Sequence, residues 1–322
     1  MLRVYEPKGG CLVARDDTTL TREALWIDLT EPTPEEDAAV EKHLGISIPT
    51  RAEAREIEAS SRLYAENGAH YMTAFVLYNA ESDVPGGATV TFVLSATALV
   101  TIRYHEPRAF PLFAARAGKG ELACSAPAHV LMGLLETIID RAADVTERIQ
   151  DRMEGLTGPI FGGNDVTTRQ SRKLDETLRA VGRQGDITAR LEESAFSLER
   201  LLIYLGTVLK DRGDSKATIA RTKTAIRDIR SLTEQMRFLS DRITFLLDAT
   251  LGAINIQQNQ IIKIFSLVSV TLMPPTLVGS IYGMNFKRMP ELDWPWGYPL
   301  ALSLMVVVAV LPYLYFRRKG WL

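Results

Sequence analysis

The sequence predicts an α+β domain, followed by very long helices and a C-terminal hairpin of two transmembrane helices. Three patterns in its 322 residues support this fold class. Short runs rich in Val, Thr, Phe and Tyr occupy the N-terminal part, and long amphipathic segments without strand signals occupy the middle. Two apolar stretches lie near the C-terminal end.

The N-terminal part, residues 1–120, reads as a small α/β domain. Thr33-Pro-Glu-Glu36 predicts a capping box that begins a helix, and Gly45 predicts its end. Pro85-Gly-Gly87 separates two of the later strands. The predicted strands are Leu12–Arg15, Ala24–Asp28, His70–Tyr78, Thr89–Leu94 and Ala98–Tyr104.

Residues 121–215 predict long amphipathic helices. One covers His129–Glu154 and is ended by Gly155 and the break from Gly158-Pro159 to Gly162-Gly163, and a second runs from about Val166 to Asp211 and is ended by Gly213. A third helix begins near Lys216 and has no strong stop signal. We therefore expect the segment 216–260, the stalk, to form one helix with the apolar stretch that follows, about 90 Å long at 1.5 Å per residue. Its apolar residues step by four and three, which predicts lengthwise packing against other helices: Leu232, Met236, Leu239, Ile243 and Leu246.

Three acidic residues share one face of this third helix: Glu234, Asp241 and Asp248. One interpretation is the solvated side of a helical bundle. The other is a site for a divalent cation, completed by carboxylates of a neighbouring domain or subunit, because oxygen ligands suit the hard cations Mg²⁺ and Ca²⁺.

The apolar stretches 261–281 and 298–316 each approach the ~20 residues that a helix needs to cross ~30 Å of hydrocarbon. Buried core helices are the alternative. An aromatic-rich turn, 282–297, and a basic tail, 317–322, favour a membrane hairpin. The absence of a signal peptide and the basic tail place both termini in the cytoplasm, which the basic pair at 287 and 288 opposes weakly. The expected location is the inner (cytoplasmic) membrane, so the lipid bilayer is a partner.

The composition limits the classes of function. With 37 basic and 39 acidic residues, no charge excess points to nucleic acid as a partner. Cys11 and Cys124 have no metal-ligand spacing, and their number suits a reducing compartment. Neither a nucleophile–base pair nor a glycine-rich phosphate loop supports an enzyme, and we expect no organic cofactor. A membrane scaffold would not require the polar pattern described next.

One face of the first apolar helix carries small and hydroxyl-bearing side chains. Steps of four and three join Ile262, Ser266, Ser269, Met273, Thr276 and Ser280, with Asn259 one turn earlier. Such a face lets membrane helices pack closely. Alternatively, several copies around an axis enclose a polar pathway. Pro274 and Pro275 remove two backbone donors and leave carbonyls of the preceding turn available.

The C-terminal sequence resembles the CorA-type magnesium/cobalt transporter family, whose members are two-transmembrane metal ion transporters with a Gly-Met-Asn motif. The resemblance covers about the last sixty-five residues closely, and the upstream architecture is compatible with it. It rests on Asn259-Gln-Ile-Ile-Lys-Ile-Phe265, Met273-Pro-Pro-Thr276, Tyr282-Gly-Met-Asn-Phe286, Met289-Pro-Glu-Leu292, Trp296-Gly-Tyr-Pro299 and Tyr315-Phe-Arg-Arg-Lys-Gly-Trp-Leu322.

The resemblance implies a homopentameric funnel whose first membrane helices line a pore. It implies uptake of Mg²⁺ and Co²⁺, with Ni²⁺ as a further candidate, gated by intracellular Mg²⁺ bound to the stalk. By position, Gly283, Met284 and Asn285 form the selectivity filter. The pore-lining positions fall on Asn259, Phe265, Met273, Thr276 and Ser280, and Ser269 joins them from the helical stripe. The regulatory candidates, in order, are Asp248, Asp241 and Glu234.

One departure from the family concerns the mouth of the pore. Members often have an acidic residue just after the Asn-Phe pair, whereas this chain has Lys287 and Arg288. Glu291 and Asp293 would then have to attract cations to the mouth of the pore. The alternative function is a ZntB-like Zn²⁺ transporter, with or without proton coupling, which shares Gly-Met-Asn. Met289-Pro-Glu-Leu292 favours the CorA type.

Overall fold

The computed structural model describes residues 1–15, 17–55, 62–80, 82, 85–122, 124–161, 168–284, 289–290 and 294–319. The chain divides into two compact units. The first comprises Met1–Thr157 and Ala180–Phe245, and the second comprises Gly158–Arg179 and Leu246–Leu322.

A seven-stranded sheet forms the N-terminal part of the first unit. Its strands are β1 (Leu2–Lys8), β2 (Cys11–Ala14), β3 (Trp26–Thr30), β4 (Leu63–Glu66), β5 (Ala69–Tyr78), β6 (Gly86–Leu94) and β7 (Leu99–Arg103). The spatial order is β2-β1-β3-β7-β6-β5-β4, and only the pair β3–β7 is parallel. The five predicted strands are present, with ends shifted by up to three residues. β1 and β4 were not predicted, because β1 contains Pro7 and charged residues and β4 has only Tyr64 from the residue types enriched in strands.

Helix α1 (Pro34–Leu44) begins and ends as predicted. The backbone N–H of Glu36 donates to Thr33 Oγ1 at 3.3 Å, and the backbone N–H of Thr33 donates to Glu36 Oε2 at 3.0 Å. This reciprocal pair is the capping box. Gly45 adopts a φ of 68°, the left-handed conformation that glycine tolerates best, and its N–H donates to the carbonyl of Glu41. Val40 is fully buried and anchors the helix in the core of the sheet domain.

In the described part of the chain, five further α-helices have their bounds defined: α2 (Ala109–Gly118), α3 (Pro127–Phe161), α4 (Thr168–Asp211), α5 (Lys216–Tyr282) and α6 (Gly297–Arg318). The predicted last residue, Glu154, is too early, since α3 continues past Gly155 to Phe161, which lies within the predicted break from Gly158 to Gly163. Glycine costs only about 1 kcal/mol inside a helix. Met153 and Ile160, on either side of it, are both buried and favour continuation.

Helix α5 has 67 residues and, at about 1.5 Å per residue, is about 100 Å long. The single long helix predicted from the sequence is therefore present. Its predicted apolar seam is buried throughout: Leu232, Met236, Leu239 and Ile243 in the first unit, and Leu246 in the second.

Polar contacts join the helices of the first unit to one another and to the sheet. On α4, Ser194 Oγ donates to the carbonyl of Phe75 on β5, whose own N–H donates to Ser197 Oγ, both at 2.8 Å. Arg221 of α5 makes two hydrogen bonds with the carboxylate of Glu136 on α3, at 2.6 and 3.0 Å. These contacts fix the part of α5 that precedes the apolar stretch.

A buried ion pair lies at the parallel junction of β3 and β7. Arg103 Nη2 and Nε donate to the two carboxylate oxygens of Asp28 at 2.9 and 3.1 Å, and both side chains are almost fully buried. Thr101 Oγ1 also donates to Asp28, and accepts from Trp26 Nε1. Burial, and then the charge of Arg103, lower the pKa of the neighbouring His105 to about 4, so this imidazole is neutral at pH 7.

Replacing Arg103 with methionine should lower the free energy of unfolding by about 3–5 kcal/mol, because Asp28 would remain buried without its partner. The measurement is urea-induced unfolding of the detergent-solubilised chain, followed by tryptophan fluorescence. Arg3→Met, at an exposed position of β1, is the matched control and should change stability by less than about 0.5 kcal/mol. Equal effects of the two substitutions would contradict a structural role for the ion pair.

Candidate functional site

The candidate site lies in the second unit, where α6 packs against the C-terminal part of α5. Both helices are long and apolar enough to cross a membrane. None of the apolar window of α5, and only 6% of that of α6, is buried within the chain. A core helix of a soluble protein would be mostly covered by its own chain. The exposure therefore favours the membrane hairpin over the alternative of buried core helices.

The two helices contact each other through one face of each. Around Gly279 of α5 the approach is close, because a Cβ at this position would lie 3.4 Å from Met305 Cε. The less exposed positions on α5 recur at steps of three and four: Leu267, Thr271, Pro274, Pro275, Val278 and Tyr282. On α6 the corresponding positions are Ala301, Met305, Val308, Ala309, Pro312 and Phe316. This pattern defines the α6-contacting face of α5.

The predicted polar stripe lies on the other side of α5. At about 100° of rotation per residue, its centre is roughly opposite the α6-contacting face. Met273, in the stripe, is 69% exposed, and Phe265, which flanks the stripe, is 70% exposed. The residues assigned to the pore lining by the stripe or by the family resemblance are all exposed in the chain: Asn259, Phe265, Ser269, Met273, Thr276 and Ser280. The small and polar residues of the stripe therefore do not serve packing against α6.

The middle of the stripe is rich in hydrogen-bond acceptors. Thr276 Oγ1 donates to the carbonyl of Met273 at 2.7 Å and also contacts that of Leu272 at 3.1 Å. Because its proton is used within the helix, the hydroxyl oxygen is left to act as an acceptor. Pro274 and Pro275 have no N–H to offer the carbonyls of Val270 and Thr271, four residues earlier.

Thr271 and Gly279 are features of the hairpin that the sequence did not single out. Among the described residues, no hydrogen-bond partner reaches the buried Thr271 Oγ1. The proline pair was the available signal, since prolines in a membrane helix predict unpaired polar groups nearby. The role of Gly279, close approach to Met305 of α6, can be recognised only from the structure.

The Gly-Met-Asn motif begins where α5 ends. The N–H of Gly283 donates to the carbonyl of Gly279 at 3.0 Å, and the N–H of Met284 donates to that of Ile281 at 3.2 Å. A Cβ on Gly283 would lie only 3.1 Å from the carbonyl oxygen of Gly279, so this turn favours glycine. Asn285, Lys287, Arg288, Glu291 and Asp293 lie outside the described residues.

The acidic residues Glu234, Asp241 and Asp248 are exposed on α5, as both interpretations of this face require. Their spacing of seven residues separates neighbours by about 10 Å along the helix. Over the ranges that the structure describes, no group of three or more His, Cys, Asp or Glu side chains could hold a metal ion. The three carboxylates are thus not brought together within one chain.

The chain matches the family model for "CorA-like Mg2+ transporter protein" over residues 22–318. The magnesium transport protein CorA of Yersinia pseudotuberculosis serotype I (strain IP32953) is 38% identical over 307 residues, 95% of each chain. The resemblance seen in the sequence is therefore confirmed.

Two solved structures share the fold. The complete structure of the CorA magnesium transporter from Methanocaldococcus jannaschii aligns over 100% of this chain and 99% of its own, with a TM-score of 0.75 and 20% identity. The ZntB cytoplasmic domain from Vibrio parahaemolyticus RIMD 2210633 aligns over 78% of this chain and 96% of its own, with a TM-score of 0.54 and 11% identity. At these identities the likeness concerns the fold alone.

Proposed function

We propose that this chain, which belongs to the CorA-like Mg²⁺ transporter family, takes up Mg²⁺ across the cytoplasmic membrane through a pore lined by α5. Co²⁺ and Ni²⁺ are further candidate cargoes. The observation that carries the proposal is the exposed stripe of α5, which leads along the helix to the Gly-Met-Asn turn and is not used for packing against α6. Family membership points to ion transport across a membrane rather than to enzymatic catalysis.

A single helix cannot enclose a pore, so the pathway requires several copies of α5 around one axis. A cyclic homo-oligomer places the same face of each copy toward the axis. We propose a homopentamer in the form of a funnel, with the stripe inward and α6 outward toward lipid. The stripe and the α6-contacting face lie on roughly opposite sides of α5, which supports this arrangement. With the stripe inward, the remaining apolar surface of the two helices is available to lipid.

The proposed pathway has no charged side chain that could bind a dication. Between Lys263 and Lys287 the sequence contains no Asp, Glu, Lys, Arg or His. Mg²⁺ releases its water ligands reluctantly. Acceptors that hydrogen-bond its water shell are therefore better suited than ligands that must displace it. The hydroxyls of Ser269, Thr276 and Ser280 supply such acceptors, and Phe265 and Met273 would form apolar constrictions.

The proposed selectivity filter is Gly283, Met284 and Asn285. Glycine permits the tight turn at the end of α5, and the amide oxygen of Asn285 adds an acceptor at the mouth. Repeated around the axis, these groups form a ring of dipoles suited to a hydrated dication. Glu291 and Asp293 would attract cations to this ring, against the repulsion of Lys287 and Arg288.

Uptake by proteoliposomes containing the purified chain tests the proposed function. Mg²⁺ should enter, and cobalt(III) hexammine, which resembles a hydrated ion, should block it. Asn285→Ala should reduce uptake at least about tenfold without loss of assembly, since a filter contact is removed in every subunit, whereas Asn285→Gln retains the acceptor and part of the flux. Zn²⁺ uptake that depends on a proton gradient, without Mg²⁺ uptake, would instead indicate the ZntB-like function.

Cysteine labelling tests the pore face and the assembly together, in a chain with Cys11 and Cys124 replaced by alanine. Ser269→Cys and Thr276→Cys should react with a water-soluble thiol reagent. Val268→Cys, exposed but outside the stripe, should react at least about tenfold more slowly, because a thiolate does not form in lipid. Native mass spectrometry should give the mass of a pentamer. Equal labelling at the three positions would contradict a water-filled stripe, and a transporting monomer would contradict the oligomer.

We further propose that intracellular Mg²⁺ holds the pore closed by bridging stalk carboxylates of neighbouring subunits. Asp248 is the first candidate, followed by Asp241 and Glu234. Without Mg²⁺, repulsion between these carboxylates would separate the stalks, so the ion acts through its preference for one of two states.

Neutralising the three stalk acids (Glu234→Gln, Asp241→Asn, Asp248→Asn) should flatten the dependence of stalk protease protection on Mg²⁺. The substitutions remove both the ligands and the repulsion. The matched control removes three other exposed acids, Asp151→Asn, Asp175→Asn and Glu193→Gln, and should leave the curve unchanged. An unaltered curve in the stalk variant would remove this face from the sensor, and the regulatory site would have to be sought in the N-terminal domain.

A further inference from the structure

A group of basic residues lies at the end of the membrane hairpin opposite the Gly-Met-Asn turn. It consists of Lys263 on α5, Arg317 and Arg318 at the end of α6, and Lys319 just after it, and we call these residues the basic belt. All four are exposed. The sequence has no acidic residue between Asp248 and Glu291 and none after Asp293. Over the described part of the chain, none of the ion pairs includes a belt residue.

The contact between α5 and α6 places the belt residues at one height. Gly279 lies against Met305, and two successive spanning helices run in opposite directions. Lys263 precedes Gly279 by sixteen residues and Lys319 follows Met305 by fourteen. At about 1.5 Å per residue, these cations lie about 24 and 21 Å from the contact, toward the same end of the hairpin. The difference is less than one helical turn.

This height corresponds to the boundary between hydrocarbon and headgroups. Tyr313 and Tyr315 are exposed one turn before the belt, and Lys319 Nζ lies 5.8 Å from the centre of the Tyr315 ring. Tyrosines concentrate at membrane interfaces, where the ring is in the apolar layer and the hydroxyl is hydrated. At the other end of α6, Trp296 is also exposed. The nineteen residues from Trp296 to Tyr315 span about 28 Å, close to the ~30 Å of a hydrocarbon core.

We propose that the basic belt binds the phosphate groups of anionic phospholipids in the cytoplasmic leaflet. No ion pair within the described residues neutralises these four cations, and lipid phosphates are the anions present at their depth in a membrane. Arginine can bind a phosphate through two hydrogen bonds, and lysine can extend its stem along the apolar helix to reach one. Each cation near an anionic leaflet favours binding about fivefold. The inference rests on the proposed membrane orientation of the hairpin.

The belt also joins the two helices that the pore depends on. Lys263 is part of α5 and follows Ile262 of the stripe directly, whereas the other cations belong to α6 and the segment after it. Phosphates bound between these helices would hold the cytoplasmic end of the hairpin together by charge, where no ion pair within the described chain does so. A zwitterionic membrane offers no net anionic charge for this purpose.

Native mass spectrometry of the full chain tests the proposal. The protein is purified into micelles containing equal amounts of phosphatidylglycerol and phosphatidylcholine, and the lipids that remain bound are counted. Wild type should retain phosphatidylglycerol at least about tenfold over phosphatidylcholine. Arg317→Gln/Arg318→Gln/Lys319→Gln should lose most of this preference, and Lys263→Gln should lose part of it. Arg317→Lys/Arg318→Lys, which keeps the charges, should retain most of it.

The matched control removes three exposed lysines of the sheet domain, Lys8→Gln, Lys42→Gln and Lys119→Gln, and should keep the wild-type preference. Equal preference in the belt variant and in this control would overturn the proposal. A second arm adds millimolar inorganic phosphate, and displacement of phosphatidylglycerol by it would show a phosphate site rather than a membrane contact. Selective retention of phosphatidylcholine by wild type would also overturn the proposal. The oligomer mass in the same spectra reports whether each variant is folded.

Flux measurements separate this inference from the proposed function. Wild type that carries Mg²⁺ but shows no preference for phosphatidylglycerol would refute the lipid site and leave the transport function intact. Wild type that binds phosphatidylglycerol through the belt but carries no Mg²⁺ would refute transport and leave the lipid site intact.

Discussion

The continuous helical conformation of α5 is the constraint on which the rest of the structure depends. The helix runs from Lys216 to Tyr282, and the two bonds lost at Pro274 and Pro275 do not end it. Because rotation per residue in a helix is nearly fixed, burial of one face also determines which residues the other faces present. In the second unit, contact with α6 occupies one side of α5. The stripe lies on the side of the helix that this contact leaves exposed.

The exposed stripe would be costly if it faced only lipid. Hydroxyl and amide groups in hydrocarbon need hydrogen-bond partners. Thr276 satisfies its donor within its own helix, but the hydroxyl acceptors of the stripe remain available. Small polar residues can also serve close helix packing, yet the partner in such packing is not α6. Under the proposed function, the stripe contacts other copies of the chain or lines an aqueous pathway between them.

The parts of the fold that were predictable from sequence are those specified by local patterns. The capping box at Thr33, the seam from Leu232 to Leu246 and the unbroken length of α5 each follow from neighbouring residues. The pairing of Asp28 with Arg103 could not be predicted, since its partners are 75 residues apart and meet only through parallel strand pairing. The sequence shows the stripe as a periodic pattern. Its position opposite α6 could be determined only from the structure, in which Gly279 lies against Met305. For the filter, the prediction for Asn285 rests on the family resemblance.

The geometry of the stalk acids links any metal sensing on this face to assembly. Each chain presents one carboxylate at a given height on α5, with the next about 10 Å away. A divalent cation is held by several oxygen ligands, some of them waters. Over the described residues, no group of three or more acidic or other metal-binding side chains includes Glu234, Asp241 or Asp248, so a site built from several carboxylates would take the others from another chain or domain. The affinity of such a site would depend on the separation of the stalks, which is also the quantity that a gate must change. Under the proposed function, the ion would favour whichever arrangement brings the carboxylates within reach of one another, and by linkage that arrangement would bind it more tightly.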